Sequence, residues 1–389
     1  MNNENLYHIQ EGLHVSELIK QKFQLSEKDL SGQDNSSKCN FTGMIIKSND
    51  ILISWPKHFF KSKDLYLNIE KEPKLLFDIL VKYMDITEEC YLNDESKDDK
   101  QESYPLRAFQ NILSYYKKYG LYREETTIEK QGYSGNIDWK KTASKSSKVI
   151  SNGKLLFLPF VIKNRKTENV FISECMAYAI NETFSLLSFI LPNRTYIDIW
   201  YDRDLFLNKE FILVKLKSFK GKIFKDINKK LINDLITFFE MLGNVSEFKY
   251  KNYYFSSIWE KMITEYINRN LFFMDANGYG IQENCKVFNF EKQKFDIGNR
   301  QIEVDHYYED EASIYILDSK YYHTVRDLNY KQVAYDYFLR KEEKITVNAL
   351  IMPFHEKVST NHFMYKEDNI LIAEHYFVVQ DVMRDCASN

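Results

Sequence analysis

Apolar and polar positions alternate along this chain with two different periods, and the switches between them mark its elements. Residues 41–55 form two apolar runs around a Lys-Ser-Asn-Asp turn, which predicts a β-hairpin. Pro56 closes it, because proline cannot donate to a ladder. Apolar residues at helical spacing predict helices over 15–23, 72–84, 105–119, 174–187, 226–242 and 255–271. Ser256 or Ser257 is expected to cap the last of these. Shorter apolar runs predict strands over 154–162, 170–172 and 285–290. The most informative stretch is 301–322. Its first half predicts a strand leading to Asp305 and a cluster of acids. Its second half, from residue 313, is crowded with β-branched and aromatic residues and ends in Asp318-Ser319-Lys320. A helix over 325–340, a buried strand over 345–352 stopped by Pro353, and a strand over 369–380 complete the pattern. Helix, three strands, helix, strand, strand is a mixed α/β arrangement, in which an antiparallel meander feeds a crossover helix.

Length and charge narrow the classes only a little. A chain of 389 residues has room for two or three domains. The net charge of −3 does not announce a nucleic-acid binder. Basic residues are uneven, however, with seven lysines in the sixteen residues 215–230. That run reads equally as a solvated helix face or as a patch in which Lys215, Lys217, Lys220 and Lys222 meet DNA phosphates. The polar run 93–103 reads as a linker. The five cysteines are too dispersed for a zinc ribbon or a disulfide framework, which suits a reduced cytoplasm. No apolar signal core and no uncharged run of membrane-spanning length is present, so no membrane association is expected. The sequence has no phosphate-binding Gly-x-x-x-x-Gly-Lys-Ser/Thr loop and no Gly-x-Ser-x-Gly elbow. Nucleotide hydrolysis by this chain and serine-hydrolase chemistry are therefore not expected.

The chemistry-bearing residues gather around 305–320. Side chains alternate across a strand, so Asp318 and Lys320 share a face, and hairpin pairing would bring Asp305 to both. Two carboxylates and a lysine can hold Mg²⁺ (or Mn²⁺) and direct a water at a phosphodiester. Asp305 and Asp318 are the expected metal ligands, with the Ser319 carbonyl as a third. Lys320 is expected to orient the water or stabilise transition-state charge. Glu260 is a further ligand or water-holder, Glu265 a substitute on the same helix, and Glu303 an assistant on the strand of Asp305. Gln332 and Tyr335 stand one helical turn apart and could order the lysine or touch the DNA backbone. An Asp-x-Lys pair alone is more often a solvated strand face, and Gln332 alone is one polar residue on an amphipathic helix. The ordered set is what favours a site. His306 and His323 fit no zinc spacing and read as bystanders. The segment Gly135-Asn136-Ile137-Asp138-Trp139 reads, from spacing alone, as a surface loop anchored by its tryptophan.

The order of helix with Glu260, strand with Asp305, strand with Asp318-Ser319-Lys320 and helix with Gln332-x-x-Tyr335 resembles the PD-(D/E)xK nuclease superfamily. Val304 stands where proline is usual, and the second acid is Asp. More specifically, the chain resembles the LlaJI family of restriction endonuclease subunits, relatives of the McrC subunit of modification-dependent restriction systems. Three pieces carry the resemblance: Thr42-Gly43-Met44-Ile45 through Trp55-Pro56-Lys57, the stretch from Gly135 to Thr142, and Ile258-Trp259-Glu260 with the acidic motifs. It implies a restriction-endonuclease-like core over 246–389, with a mixed β-sheet flanked by helices. It implies an α+β region over 1–125 that recognises double-stranded DNA, and a McrC-like middle region over 126–245. It also implies a separately encoded McrB-like AAA+ GTPase partner, met through Asn136, Asp138 and Trp139. The function implied is a Mg²⁺-dependent endonuclease of a restriction or anti-phage system. Two alternatives stand beside it: a catalytically lapsed subunit that binds DNA and regulates the GTPase, and a RecB-like standalone exonuclease. Whether the chain forms a homodimer is left open.

Overall fold

The computed structural model describes residues 6–32, 37–47, 50–61, 72–93, 104–191, 195–243, 247–322, 330–359, 361–365 and 370–388. Its contacts group the chain into two units, one built from 1–103 with 246–389 and the other from 104–245.

Two sheets organise the first unit. The predicted hairpin forms, with Thr42–Lys47 antiparallel to Asp50–Trp55. Leu6–Gln10 adds in parallel on one side, and Glu247–Asn252 adds antiparallel on the other. Gly43 is required by this last pairing, since a Cβ there would sit 2.0 Å from the Tyr250 carbonyl oxygen. The apolar side chains of the hairpin, Ile45 and Leu52 among them, are fully buried and pack with Phe23 and Phe41.

The second sheet has six strands. Glu291–Ile297, Arg300–Glu309 and Ser313–Ser319 run as an antiparallel meander. The helix Tyr330–Leu339 then crosses over to Ile345–Phe354, which lies parallel to Ser313–Ser319. Ile370–Val378 and Asn361–Tyr365 complete the sheet. The mixed α/β architecture expected from the sequence is therefore the one observed.

Several boundaries differ from the pattern, each for a physical reason. Residues 285–290 are irregular, and the strand is the next segment, Glu291–Ile297. Its residues Glu-Lys-Gln-Lys lie exposed on the sheet's edge, so no apolar alternation announces it. The helix Phe255–Asn270 starts before both serines, and its entry is fixed instead by Asn252, whose Oδ1 accepts from the Tyr254 amide at 2.7 Å. Pro353 does not stop its strand but pairs with Phe377. The ladder to Ser313–Ser319 already ends at Ile351, so on that side the missing N–H costs no rung. A C-terminal helix, Val379–Ser388, follows where a strand end was expected. Of the expected helix over 325–340, residues 325–329 lie outside the described part of the chain, as does His323.

The second unit combines helices with a long antiparallel ribbon. Leu106–Tyr119, Phe171–Leu186 and Asp226–Met241 pack through buried Phe109, Phe184, Phe238 and Phe239. Arg123–Gly132 pairs along its whole length with Phe160–Asn169. The single strand expected over 154–162 is two, Lys154–Leu158 and Phe160–Asn169, divided at Pro159. Lys154–Leu158 folds back on Ser147–Ser151 through Asn152 and Gly153, both at positive φ, the backbone a two-residue hairpin turn demands. Residues 170–172 are not a strand: Val170 precedes the helix Phe171–Leu186, and Ser173 Oγ accepts from its amide at 2.9 Å.

The Gly135 segment is more than a loop. Asn136–Ile137 joins the edge of the ribbon, with Ile137 opposite Ile162. A Cβ on Gly135 would meet Ile162 Cγ2 at 2.3 Å, so only glycine fits. Asp138 caps the helix Trp139–Lys145 by accepting from the Lys141 amide at 3.1 Å, and it also pairs with Lys163 at 2.7 Å. Buried Thr142 accepts from the Val161 amide at 2.9 Å. Trp139 itself leaves 61% of its surface exposed. Among the described residues, no helix is long and apolar enough to cross a membrane.

Candidate functional site

The meander brings the predicted acids together. The rung His306–Leu317 makes Asp305 and Asp318 the next facing positions on adjacent strands. The ladder on the other side of Asp305 is irregular. Gln293 pairs with Val304 and Glu291 with Tyr307, so Asp305 and His306 both stand opposite Lys292. This is a β-bulge, a device that re-aims a side chain at the edge of a ladder. No glycine marks it, and period-2 reading of the strand could not find it.

The two carboxyls occupy facing positions on adjacent strands. Asp318 is fully buried, and Asp305 is half-buried beside it. Burial and the neighbouring Asp318 carboxyl raise the Asp305 carboxyl to about 8. Burial alone would raise Asp318 too, but its neighbour Asp305 and the charges of Lys320 and Lys331 hold it below its ordinary value. Asp305 raised and Asp318 lowered is the pattern of two neighbouring carboxyls that do not both ionise at neutral pH. Lys320 forms an ion pair with Asp318 Oδ2, and Lys331 Nζ lies 3.9 Å from Oδ1. Neither oxygen of Asp318 receives a well-aligned hydrogen bond. The Lys320 amide donates to the Ile351 carbonyl at 2.9 Å, which ties the residue to the next strand.

The other expected residues surround this pair in different ways. Glu260 is near enough to raise Asp305 electrostatically, but its Oε1 pairs with Lys292 Nζ at 3.0 Å. Lys292 also holds Glu303 at 2.9 Å, and Lys294 reaches the same carboxylate at 3.3 Å. Burial would lower Lys292, yet its bonds to Glu303 and Glu260 outweigh that and raise it. Glu265 is drawn away by Lys82, Arg269 and the Tyr83 hydroxyl. Buried Gln332 donates to the Ile316 and Ala349 carbonyls at 3.0 and 3.3 Å, joining adjacent strands. The Tyr335 hydroxyl donates to the Glu303 carbonyl. Their hydrogen bonds therefore brace the sheet behind the acids. Lys215 lies over the Phe171 ring at 3.8 Å, and Lys217 pairs with Glu240 at 2.8 Å; both belong to the second unit, as do Lys220 and Lys222.

Residues outside the expected set also matter here. Lys331, one turn before Tyr335, adds a second cation beside Asp318. His306 is fully buried, with Nε2 2.6 Å from Ser319 Oγ and Nδ1 3.1 Å from Thr264 Oγ1. Burial pushes it down to about 3, so it stays neutral, and both ring nitrogens are already engaged. A cleft of about 960 Å³ runs along the helix Phe255–Asn270 to Asp305, with Lys261, Arg269, Lys286 and Lys292 and the acids Glu260, Glu265 and Glu291 on its walls.

Among the described residues, no group of three or more His, Cys, Asp or Glu side chains closes around a common point. The donor set is two facing carboxylates. That still fits Mg²⁺, which is commonly held by one or two carboxylates with waters and substrate phosphates filling the rest.

The family model for the LlaJI restriction endonuclease matches residues 41–382. The chain belongs to the LlaJI restriction endonuclease family. No curated protein matches it. Two solved structures from Thermococcus gammatolerans resemble this LlaJI-family chain distantly. One, a half-complex of McrB AAA+ hexamers with bound McrC, is 12% identical with a TM-score of 0.42, covering 98% of this chain and 99% of that one. The other, the McrBC complex, is 11% identical with a TM-score of 0.25, covering 69% and 89%.

Proposed function

We propose that this LlaJI-family chain is the nuclease subunit of a restriction system, hydrolysing double-stranded DNA with Mg²⁺ held by Asp305 and Asp318. The observation that carries the reading is the facing pair itself, Asp305 beside buried Asp318 with Lys320 against it, at the end of a cleft walled by Lys261, Arg269, Lys286 and Lys292 as well as Glu260, Glu265 and Glu291. Bound there, the metal would polarise the scissile phosphate and lower the pKa of a water. Lys320 would then leave Asp318 to hold the attacking water or the developing charge, and Lys331 would compensate Asp318 from the other side. Glu260, once released from Lys292, is the reserve ligand. The lysines of the cleft wall would neutralise the DNA backbone.

The chain has no phosphate loop of its own, and its family resembles McrC. Both favour action with a separate McrB-like AAA+ GTPase, and exposed Trp139 beside Asn136 and Asp138 is the proposed contact. The 1–125 region is the proposed reader of target DNA, and Lys215, Lys217, Lys220 and Lys222 are a proposed phosphate-facing patch. A second reading, a lapsed nuclease that regulates the GTPase, draws on one observation: Lys320 and Lys331 lie against Asp318, and Lys292 pairs with Glu260. Covalently closed circular DNA, incubated with the chain, its genetic-neighbour GTPase and Mg²⁺ or EDTA, separates the cases. Linear product that needs Mg²⁺ supports the endonuclease. GTP hydrolysis without cuts supports the lapsed subunit. Digestion of linear but not circular DNA points to an exonuclease.

A further inference from the structure

Tyr321 follows Lys320 directly, and the N-terminal sheet grips it. Its ring is buried against Phe255 and Trp259 of the helix that bears Glu260, with ring centroids 5.5 and 6.4 Å away. Its hydroxyl donates to Glu11 Oε2 at 2.9 Å and accepts from the Lys57 amide at 2.7 Å. Thr42 Oγ1 donates to the same Glu11 oxygen at 2.9 Å. Lys57 Nζ lies 4.7 Å above the Tyr321 ring, pairs with Glu11 Oε1 at 3.3 Å and donates to the Tyr321 carbonyl at 3.3 Å. One residue further, His58 Nε2 is 3.1 Å from the Tyr322 carbonyl. The backbone around Lys320 is therefore held by the Ile351 carbonyl at its own amide and by Lys57 and His58 at the two carbonyls that follow, while Glu11, backed by Thr42, and the Lys57 amide hold the Tyr321 hydroxyl.

We propose that Glu11, Thr42 and Lys57 are positioning residues for Lys320, acting through Tyr321. This rests on the reading of Asp318 and Lys320 as the nuclease centre. A lysine amine has several rotatable bonds, so its reach to a water depends on where its backbone is fixed. A displacement of about 1 Å at a catalytic group can cost about a hundredfold in rate. The grip is polar, and it converges on Tyr321 through its hydroxyl, its ring and its carbonyl. Hydrophobic packing of the two sheets would need neither the Glu11 carboxylate nor the Lys57 amine. It also gives a role to both ends of the hairpin motif, Thr42 at its start and Lys57 just after it.

The test compares the full-length wild type with Lys57→Met, Lys57→Arg, Tyr321→Phe and Lys320→Ala. Mg²⁺-dependent cleavage of circular DNA is measured with the GTPase partner, alongside DNA affinity and thermal denaturation. Lys57→Met and Tyr321→Phe should lower kcat about tenfold or more while KM and DNA affinity stay within twofold. Lys57→Arg, which keeps the cation for Glu11 and the ring, should restore most of kcat. Rates are normalised to the folded fraction at the assay temperature, so a lower melting temperature does not imitate the effect. Unchanged kcat per folded molecule in both Lys57→Met and Tyr321→Phe overturns the proposal. So does a loss confined to KM, or a Lys57→Arg variant as impaired as Lys57→Met. Lys320→Ala separates the two levels: if it still cuts, the nuclease centre itself is misread. If it is dead while Lys57→Met is fully active, only the positioning role fails.

Discussion

Raising the pH from 6 to 7 should tighten divalent-metal binding about tenfold. Asp305 is held protonated by burial and by Asp318, with its carboxyl raised to about 8. A metal held by the two carboxylates would have to displace that proton, so binding would release about one proton wherever the free site is protonated. Each pH unit below the raised value then changes affinity by about tenfold, or about 1.4 kcal/mol. The sign for the metal-free protein is opposite. A carboxyl whose folded pKa lies above its unfolded value, about 3.9, contributes stability that is fully present below the unfolded value and is lost as pH rises through the folded one. The metal-free chain should therefore be less stable at pH 9 than at pH 6, and Mg²⁺ should restore the difference. Titration calorimetry with Mn²⁺ in two buffers of different protonation enthalpy measures both affinity and protons released. Asp305→Asn should bind weakly and without the pH slope. A wild-type affinity that does not change between pH 6 and 7, with no proton released, would refute the raised Asp305 carboxyl.

Four further outcomes follow from the structure. Lys320→Ala should lower the cleavage rate by about 10²–10³-fold, the usual loss for one preorganised charge-stabilising group, while DNA affinity measured in Ca²⁺ stays within twofold. Gly43→Ala should cost about 1–3 kcal/mol in chemical denaturation, because its methyl group meets the Tyr250 carbonyl and the paired strand must shift. Thr142→Val should cost about 1–3 kcal/mol by leaving the buried Val161 amide without its acceptor. Trp139→Ala should change stability by less than about 0.5 kcal/mol, since the side chain is mostly exposed, yet it should weaken stimulation of the GTPase in a mixing assay.

Much of this architecture was legible because burial imposes a period. The helices Glu72–Lys82, Asp226–Met241 and Phe255–Asn270 each repeat apolar residues at helical spacing, and the structure buries those faces. The acids were legible for a similar reason: the alternation in Ser313–Ser319 put Asp318 and Lys320 on one face, and a hairpin was the simplest way to add Asp305. Three features were not legible. The edge strand Glu291–Ile297 is exposed and needs no apolar pattern to pair. The bulge opposite Lys292 depends on how two strands register, which neither strand encodes alone. The grip of Glu11, Thr42 and Lys57 on Tyr321 joins residues more than 250 positions apart, and nothing local announces it. Gln332 and Tyr335 were recognised by type, but only the structure gives their backbone partners, the carbonyls of Ile316, Ala349 and Glu303.

The central claim is that Asp318 is the buried anchor of a metal-dependent nuclease centre. Cleavage of covalently closed circular DNA by purified Asp318→Ala, mixed with the GTPase partner, GTP and Mg²⁺, tests it most directly. The account predicts no cuts while GTP hydrolysis is still stimulated as in the wild type. Cutting at the wild-type rate by Asp318→Ala would contradict it.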